Sequence, residues 1–319
     1  GNNKKAETAP IPAPQTAVAA ANAPVAGVRP GAGTSAPEQA SVNKALEEDK
    51  TAPITLVATQ EVNGKQQPFI TYTFNRIGGS IGTVTLHNDI VDSQKVADHN
   101  ITINEAQQRG IGELVFNMDA TQDPSYDNTV YKEVKRTADS VTLEGYDPAR
   151  QLFISKTYTL HPVKNLEGEI LPGSKYLIRL TVSLLNKSPN VQDLRYMGIF
   201  GGSAYPIAKS EPKDTYTHFF YHADGSLEQE VPSYFTGGFF SPLQDLTYAG
   251  VMSQYYATIL LPQDQSRGST VYATRQEFPL THEGNTLVPG VTVAMGIPNL
   301  TMAPNEIKTL TYDIYTGPK

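Results

Sequence analysis

From Pro53 onward, apolar and polar residues alternate with a period of two, run after run, with turn residues between the runs. Ile70, Tyr72 and Phe74 alternate with Thr71, Thr73 and Asn75, which predicts a strand with one wet face. A turn at Asn75-Arg-Ile-Gly78-Gly79-Ser80 leads to Val84 and Leu86 alternating with Thr83 and Thr85. Ile81 joins the phase of Val84 and Leu86 only if an extra residue sits near Gly82, so a bulge is expected there. Ile154, Tyr158 and Leu160 alternate with Ser155, Thr157 and Thr159. Tyr176, Ile178, Leu180, Val182 and Leu184 alternate with Arg179, Thr181 and Ser183, the cleanest one-sided strand of the chain. Between these two, His161 to Gly173 reads as a loop turning at Pro172-Gly173. Asp224-Gly225, flanked by His218–His222 and Leu227–Val231, is a hairpin signal. Further strands are expected near Thr270–Glu277 and Gly290–Gly296. The last runs through Leu310, Tyr312 and Ile314, with Thr309, Thr311 and Asp313 opposite.

The stretch Leu246 to Pro262 breaks the pattern, because both of its period-two phases are largely apolar. Val251, Ser253, Tyr255, Ala257, Ile259 and Leu261 form one phase; Met252, Gln254, Tyr256, Thr258 and Leu260 form the other. A single central strand with both faces covered is expected, ended by Pro262, which cannot donate to a ladder. Strand follows strand with almost no helical interlude and no fixed-period repeat. The expected architecture is all-β: two large, mainly antiparallel sheets packed face to face as one long β-super-sandwich, with little helix, over residues 53–319.

Residues 1–52 differ in texture: they are rich in Ala, Pro, Thr and Gln, and no aromatic precedes Phe69. Such a segment buries too little surface to offset its ordering entropy, so a disordered tether is expected. Within Ser35 to Lys50, Ala40, Leu46 and the charged run Glu47-Glu48-Asp49 predict one short helix. Gly1 ahead of Asn2-Asn3-Lys4-Lys5 reads as a cleaved end. The chain has 319 residues, no cysteine and a formal net charge of -7. Disulfides and thiolate chemistry are thereby excluded, and without a basic stripe no nucleic-acid partner is expected. No apolar run is long enough to span a bilayer.

Candidate chemistry is sparse. Of six histidines only His218 and His222 are close in sequence, and on a strand they would lie about 13 Å apart, too far for one metal ion. Gly201-Gly202-Ser203-Ala204 lacks the helix that follows a nucleophile elbow, and Gly78-Gly79 lacks the helix and lysine of a phosphate cradle. Glu228 and Glu230 share a strand face, and Glu167 and Glu169 share a loop; both pairs read as solvated. No catalytic residue, cofactor or metal is therefore expected. Thr217-His218-Phe219-Phe220-Tyr221 faintly resembles the Asn-x-x-x-His-x-Tyr-Phe-Asn segment of the aldose epimerases, without its flanking asparagines. That resemblance implies an alternative, a mutarotase-like enzyme or a carbohydrate-binding β-sandwich using His218.

A second resemblance covers residues 53–319. Gly250, Gln254, Tyr255, Tyr256 and Pro262 stand where the large periplasmic domain of the YidC membrane insertases carries a Gly, Gln, aromatic and Pro pattern; the tryptophan that often accompanies the glycine is absent. Asn75 to Leu86 resembles the family's early Gly-Gly strand pair, and Tyr158-Thr-Leu160 followed by Tyr176 to Asn186 resembles its paired middle strands. Tyr315-Thr-Gly-Pro-Lys319 looks like the close of that domain. The resemblance implies a mutarotase-like super-sandwich on the periplasmic side of a Gram-negative inner membrane, tethered through segments outside this chain. It implies a non-catalytic role in membrane protein insertion, with Sec translocon accessory subunits and nascent membrane proteins as partners. Arg179, Thr181 and Ser183, on the wet face of the clean strand, are the expected partner-binding residues.

Overall fold

The computed structural model describes residues 53–87, 100–119, 124–207, 211–212, 215–234, 238–280 and 286–319. The tether, the short helix near it, His99 and His282 lie outside them. In chain order the strands are β1 (Ile54–Val62), β2 (Lys65–Asn75), β3 (Ser80–Leu86), β4 (Ile101–Ile103), β5 (Leu114–Phe116), β6 (Ser125–Tyr126) and β7 (Lys132–Arg136). There follow β8 (Ser140–Asp147), β9 (Leu152–Leu160), β10 (Leu177–Asn186), β11 (Gln192–Asp193), β12 (Gly198–Ala204), β13 (His218–Ala223) and β14 (Ser226–Glu230). The last are β15 (Gly238–Pro242), β16 (Leu246–Met252), β17 (Tyr256–Pro262), β18 (Thr270–Leu280), β19 (Thr286–Gly296), β20 (Thr301–Met302) and β21 (Ile307–Pro318). Helix among the described residues is confined to three short 3-10 turns.

The strands form a nine-stranded sheet ordered β14-β13-β16-β17-β21-β10-β9-β8-β7, a six-stranded sheet β15-β18-β19-β12-β5-β6, a four-stranded sheet β1-β2-β3-β4 and a small β11-β20 ribbon. The pairings between these strands are antiparallel, from β1 with β2 to β17 with β21. The fold is an all-β sandwich, as the alternation predicts. The second layer comes in two pieces: the six-stranded sheet covers β13, β16 and β17, and the four-stranded sheet covers the β9 side, where Phe74 meets Tyr158 at 4.9 Å between ring centres.

Period-two burial places the core. On β10, Ile178, Leu180, Val182 and Leu184 are fully buried between half-exposed neighbours. Each such aliphatic side chain contributes roughly 1.5–3 kcal/mol by leaving water. On β21, Leu310, Tyr312 and Ile314 are buried in the same core. The bulge expected near Gly82 is present: Thr73 pairs Thr83 but Phe74 pairs Ile81, so Gly82 is the extra residue. The Asp224-Gly225 hairpin is also present, both residues having positive φ (52° and 77°) between the paired Ala223 and Ser226. Pro172-Gly173 opens a 3-10 turn, Pro172–Tyr176, rather than a simple reversal, and Tyr176 belongs to that turn instead of the strand.

Leu246 to Pro262 is a correction. It forms two adjacent strands, β16 and β17, joined through Ser253, whose N–H donates to the Tyr256 carbonyl at 2.9 Å. The three-residue turn reverses the phase: Val251 is buried in the core, whereas Ile259 and Leu261 face away from it. Both phases read as apolar because two strands of opposite parity had been overlaid. Both strands are internal to the sheet, and the second ends at Pro262.

Candidate functional site

Two places on the nine-stranded sheet reverse the usual distribution of polar and apolar groups, one on each face. On the inner face of β9, Leu152, Ile154, Lys156 and Tyr158 alternate inward, so Lys156 stands fully buried in the core phase. A buried ammonium must be saturated with acceptors. Its Nζ donates to the carbonyls of Gly78 at 2.7 Å and Gly112 at 2.9 Å, and lies 5.0 Å from the centre of the Tyr131 ring. The Tyr158 hydroxyl donates to the Gly79 carbonyl at 2.9 Å. Two buried carboxylates complete the cluster. Glu113 accepts from Arg109 Nη1 at 3.0 Å and from the Gly110 N–H at 3.2 Å; Asp127 accepts from the Tyr131 hydroxyl at 2.7 Å and the Thr129 N–H at 2.9 Å.

The glycines make this arrangement possible. Gly78 and Gly79 have φ of 79° and 53°, the left-handed region that disfavours any Cβ. A Cβ on Gly79 would stand 2.5 Å from Cγ of Tyr131, and one on Gly78 would stand 2.8 Å from Cδ of Glu113. The turn therefore offers its carbonyls to β9 across the sandwich. Burial pushes Glu113 up to about 7, with Arg109 opposing, and pulls Lys156 down to about 8, with Asp127 and Glu113 opposing. Burial also raises Tyr131 and Tyr158 well above the usual phenol value.

An acid and an amine poised near neutrality would suit proton transfer, but neither of the two cavities described below is lined by them. The cluster joins three sheets instead. Gly78 and Gly79 close the β2–β3 turn, Gly112 and Glu113 lead into β5, and Lys156 and Tyr158 belong to the opposite layer. The same seam is bonded by Ile81 and Ile111, which exchange backbone hydrogen bonds at 2.9 and 2.8 Å, and by Asn104, which donates to the Gly82 carbonyl and accepts from Ser203. Sequence reasoning missed this cluster. Its one signal was Lys156, a charged residue in the inward phase of an otherwise apolar alternation.

The outer face carries the converse. Phe220, Leu227, Tyr248, Met252, Ile259 and Leu261, from β13, β14, β16 and β17, line an open groove of about 260 Å³. None of the six belongs to the main core cluster. Gly250 pairs with Phe220 on one side and Ile259 on the other: a Cβ there would stand 2.4 Å from the Thr258 carbonyl oxygen and 2.7 Å from the end of the Phe220 ring, so only glycine fits between them. His222 stacks on Tyr248 at 5.2 Å and bonds Thr247 Oγ1 through Nδ1 at 2.6 Å. His218, on the same strand, bonds the Tyr216 carbonyl through Nδ1 at 3.1 Å and lines neither described cavity.

Farther along the same outer face the side chains turn polar. Thr181 pairs Thr311 on one side and Thr157 on the other, and Thr157 bonds Thr142 at 3.0 Å. Ser183 pairs Thr309 and Ser155. Arg179 forks onto Asp313 at 2.7 and 2.9 Å, and that bond holds the guanidinium pKa above its ordinary value. Asp313 in turn pairs Leu261 of the groove. The three expected residues thus share one half-exposed face and end at the boundary of the apolar groove, which the sequence reading did not foresee.

A smaller crevice lies between the layers, with about 10 Å³ open to the centre of a water, lined by Asn104, Ser203, Tyr205, Ser253, Tyr256 and Thr258 among others. That is room for about one water. The Ser253 hydroxyl is buried there with no hydrogen-bond partner among the described residues.

No protein-family profile matches the chain, and no curated protein matches it. Among solved structures it is similar to a proposed aldose 1-epimerase from Escherichia coli K12, with 10% identity over 83% of this chain and 100% of that one and a TM-score of 0.48. A proposed mutarotase from Salmonella typhimurium is similar at 10% identity over 88% of this chain and 100% of its own, TM-score 0.42. A TPR-domain containing protein from Parabacteroides distasonis is similar at 10% identity and TM-score 0.46; 83% of this chain matches 54% of its length. At these identities and TM-scores none of the three bears on the chemistry of this chain.

Proposed function

We propose that the chain is the non-catalytic periplasmic domain of a YidC-type inner-membrane insertase. It aids insertion and folding of membrane proteins through contacts with translocon components or with the emerging substrate. The observation that carries this reading is the outer groove, whose six lining residues are all apolar or aromatic. Contiguous exposed apolar surface of that kind is characteristic of binding sites for other chains. Three of the six, Met252, Ile259 and Leu261, fall within Gly250–Pro262, the stretch that resembles the YidC family, and Gly250 pairs with Phe220 and Ile259 of the lining. The segment behind the resemblance supplies half of the groove's lining.

A photo-crosslinking amino acid at Tyr248 or Leu261, in the full-length protein in its own membrane, tests the proposal. Adducts with translocon accessory subunits or nascent membrane proteins are expected. Repeated absence of any such adduct, with efficient labelling elsewhere on the domain, would sink it. Polarimetry on aldoses should give background rates for the wild type and for His218→Ala alike. A catalysed rate that His218→Ala removes would replace the insertase reading with an aldose-epimerising enzyme.

A further inference from the structure

We infer that β14 is a docking edge for an extended peptide segment whose residues alternate between apolar and basic. Among the described residues β14 ends the nine-stranded sheet, paired on one side only, with β13. All five of its residues are exposed, and its register with β13 runs without a bulge from Phe219 opposite Glu230 to Ala223 opposite Ser226. An unpaired, regular edge of this kind is a template for a further strand.

Parity fixes the chemistry of that strand. Leu227 lies on the groove face, while Glu228 and Glu230 stand opposite Tyr221 and Phe219 and so share the other face. A strand laid beside β14 places alternate side chains next to Leu227, extending the groove, and the intervening ones next to two carboxylates. Apolar residues suit the first set and lysine or arginine the second.

The opposite edge of the sheet shows what a closed edge looks like. β7 carries Lys132, Lys135 and Arg136, pairs Arg136 with Glu133, and is bulged between Glu133 and Lys135, all features that blunt strand addition. Joining β14 of one copy to β7 of another meets that bulge. Joining two copies of β14 sets glutamates against glutamates. A segment of another chain is therefore the occupant that fits.

The inference rests on the proposed use of the groove for contact, and names the chemistry of what enters it. The test uses the whole chain and a dye-labelled, end-capped heptapeptide Lys-Val-Lys-Val-Lys-Val-Lys. It is compared with the same composition in blocks, with a Glu-Val alternation and with an N-methylated alternating version. The first should bind by fluorescence anisotropy and slow hydrogen exchange at residues 226–230. The doubly charge-reversed variant Glu228→Lys with Glu230→Lys should bind it about tenfold more weakly or worse, with its far-ultraviolet dichroism unchanged. Equal binding of the block or N-methylated peptide, or no binding by any, overturns the inference. So does self-association in sedimentation that the charge reversal abolishes, which would make a second copy the occupant. Crosslinks at Tyr248 without peptide addition remove the inference and leave the proposed function standing. Peptide addition without crosslinks sustains the docking edge and removes the insertase reading.

Discussion

The seam around Lys156 and the groove around Tyr248 lie on opposite faces of one sheet, and each holds what the other would ordinarily have. Inside, charged groups are gathered and each is hydrogen-bonded within the fold: Lys156 to two carbonyls, Glu113 to Arg109 and Gly110, Asp127 to Tyr131 and Thr129. Outside, apolar side chains from four strands are gathered along an open groove, with no core cluster of the described residues taking them in. The difference separates two meanings of a misplaced residue. Buried polarity that is satisfied within the fold specifies the fold. Exposed apolarity is left for something beyond it. Stability should therefore depend on the seam, and binding on the groove.

The largest effect tests that division directly. Lys156→Ala deprives the Gly78 and Gly112 carbonyls of their donor and removes a cation from beside Glu113 and Asp127. Breaking a buried charge cluster from one side costs about 3–5 kcal/mol. Urea denaturation of the variant should show a loss of that size. A loss below about 1 kcal/mol would mean the seam is not what holds the layers together.

Next comes the pH dependence. Burial, the first cause, raises Glu113 from 4.5 to about 7 in the fold, so between those values the folded chain holds a proton the unfolded chain has released. This contribution is full below the unfolded value and is lost as pH rises through the folded one, at up to about 1.4 kcal/mol per pH unit. Burial lowers Lys156 from 10.5 to about 8, which gives the opposite slope between 8 and 10.5. Stability should fall from pH 5 to 7, and Glu113→Gln should flatten that fall. A parallel slope in the variant assigns it elsewhere.

Gly79→Ala comes third, at about 1–3 kcal/mol, because it adds a strained φ of 53° and a Cβ pressed on Tyr131. Gly64→Ala is the control. Its φ is 75°, yet its added methyl would meet nothing within 4 Å. The difference between the two in thermal unfolding isolates the contact with Tyr131 from the backbone strain they share.

What could be read in advance follows from the range of each interaction. The Gly82 bulge, the Asp224-Gly225 hairpin and the buried phase of β10 are encoded within a few residues, and the alternation exposes them. The β16–β17 turn has neither glycine nor proline at Ser253, Gln254 and Tyr255, so nothing local marked the change of parity, and with it the groove stayed hidden. The seam depends on residues 78, 112 and 156 meeting across the sandwich, which no period of two can register. The division of the second layer is hidden for the same reason, since its two pieces are joined by Asn104 and Ile111 rather than by a long ladder.

On the outer face the expected stability effects become small, and the contrast between its two halves becomes one of binding. Ile259→Thr and Leu261→Ser remove apolar surface that is already partly exposed, so each should cost below about 1 kcal/mol. Binding of an apolar reporter dye at the groove should nevertheless fall severalfold. Thr181→Ala and Ser183→Ala, in the polar half, remove hydroxyls from rows of threonine and serine that solvent can replace, and should stay within about 0.5 kcal/mol. They should also leave dye binding unchanged, because Arg179 and Asp313 stand between them and Leu261. If the hydroxyl variants weaken partner crosslinking at Leu261 as much as the groove variants do, the docking surface extends across that ion pair and the two halves act as one. If only the groove variants do so, the partner stops at Arg179, and the residues the sequence favoured are its border rather than its centre.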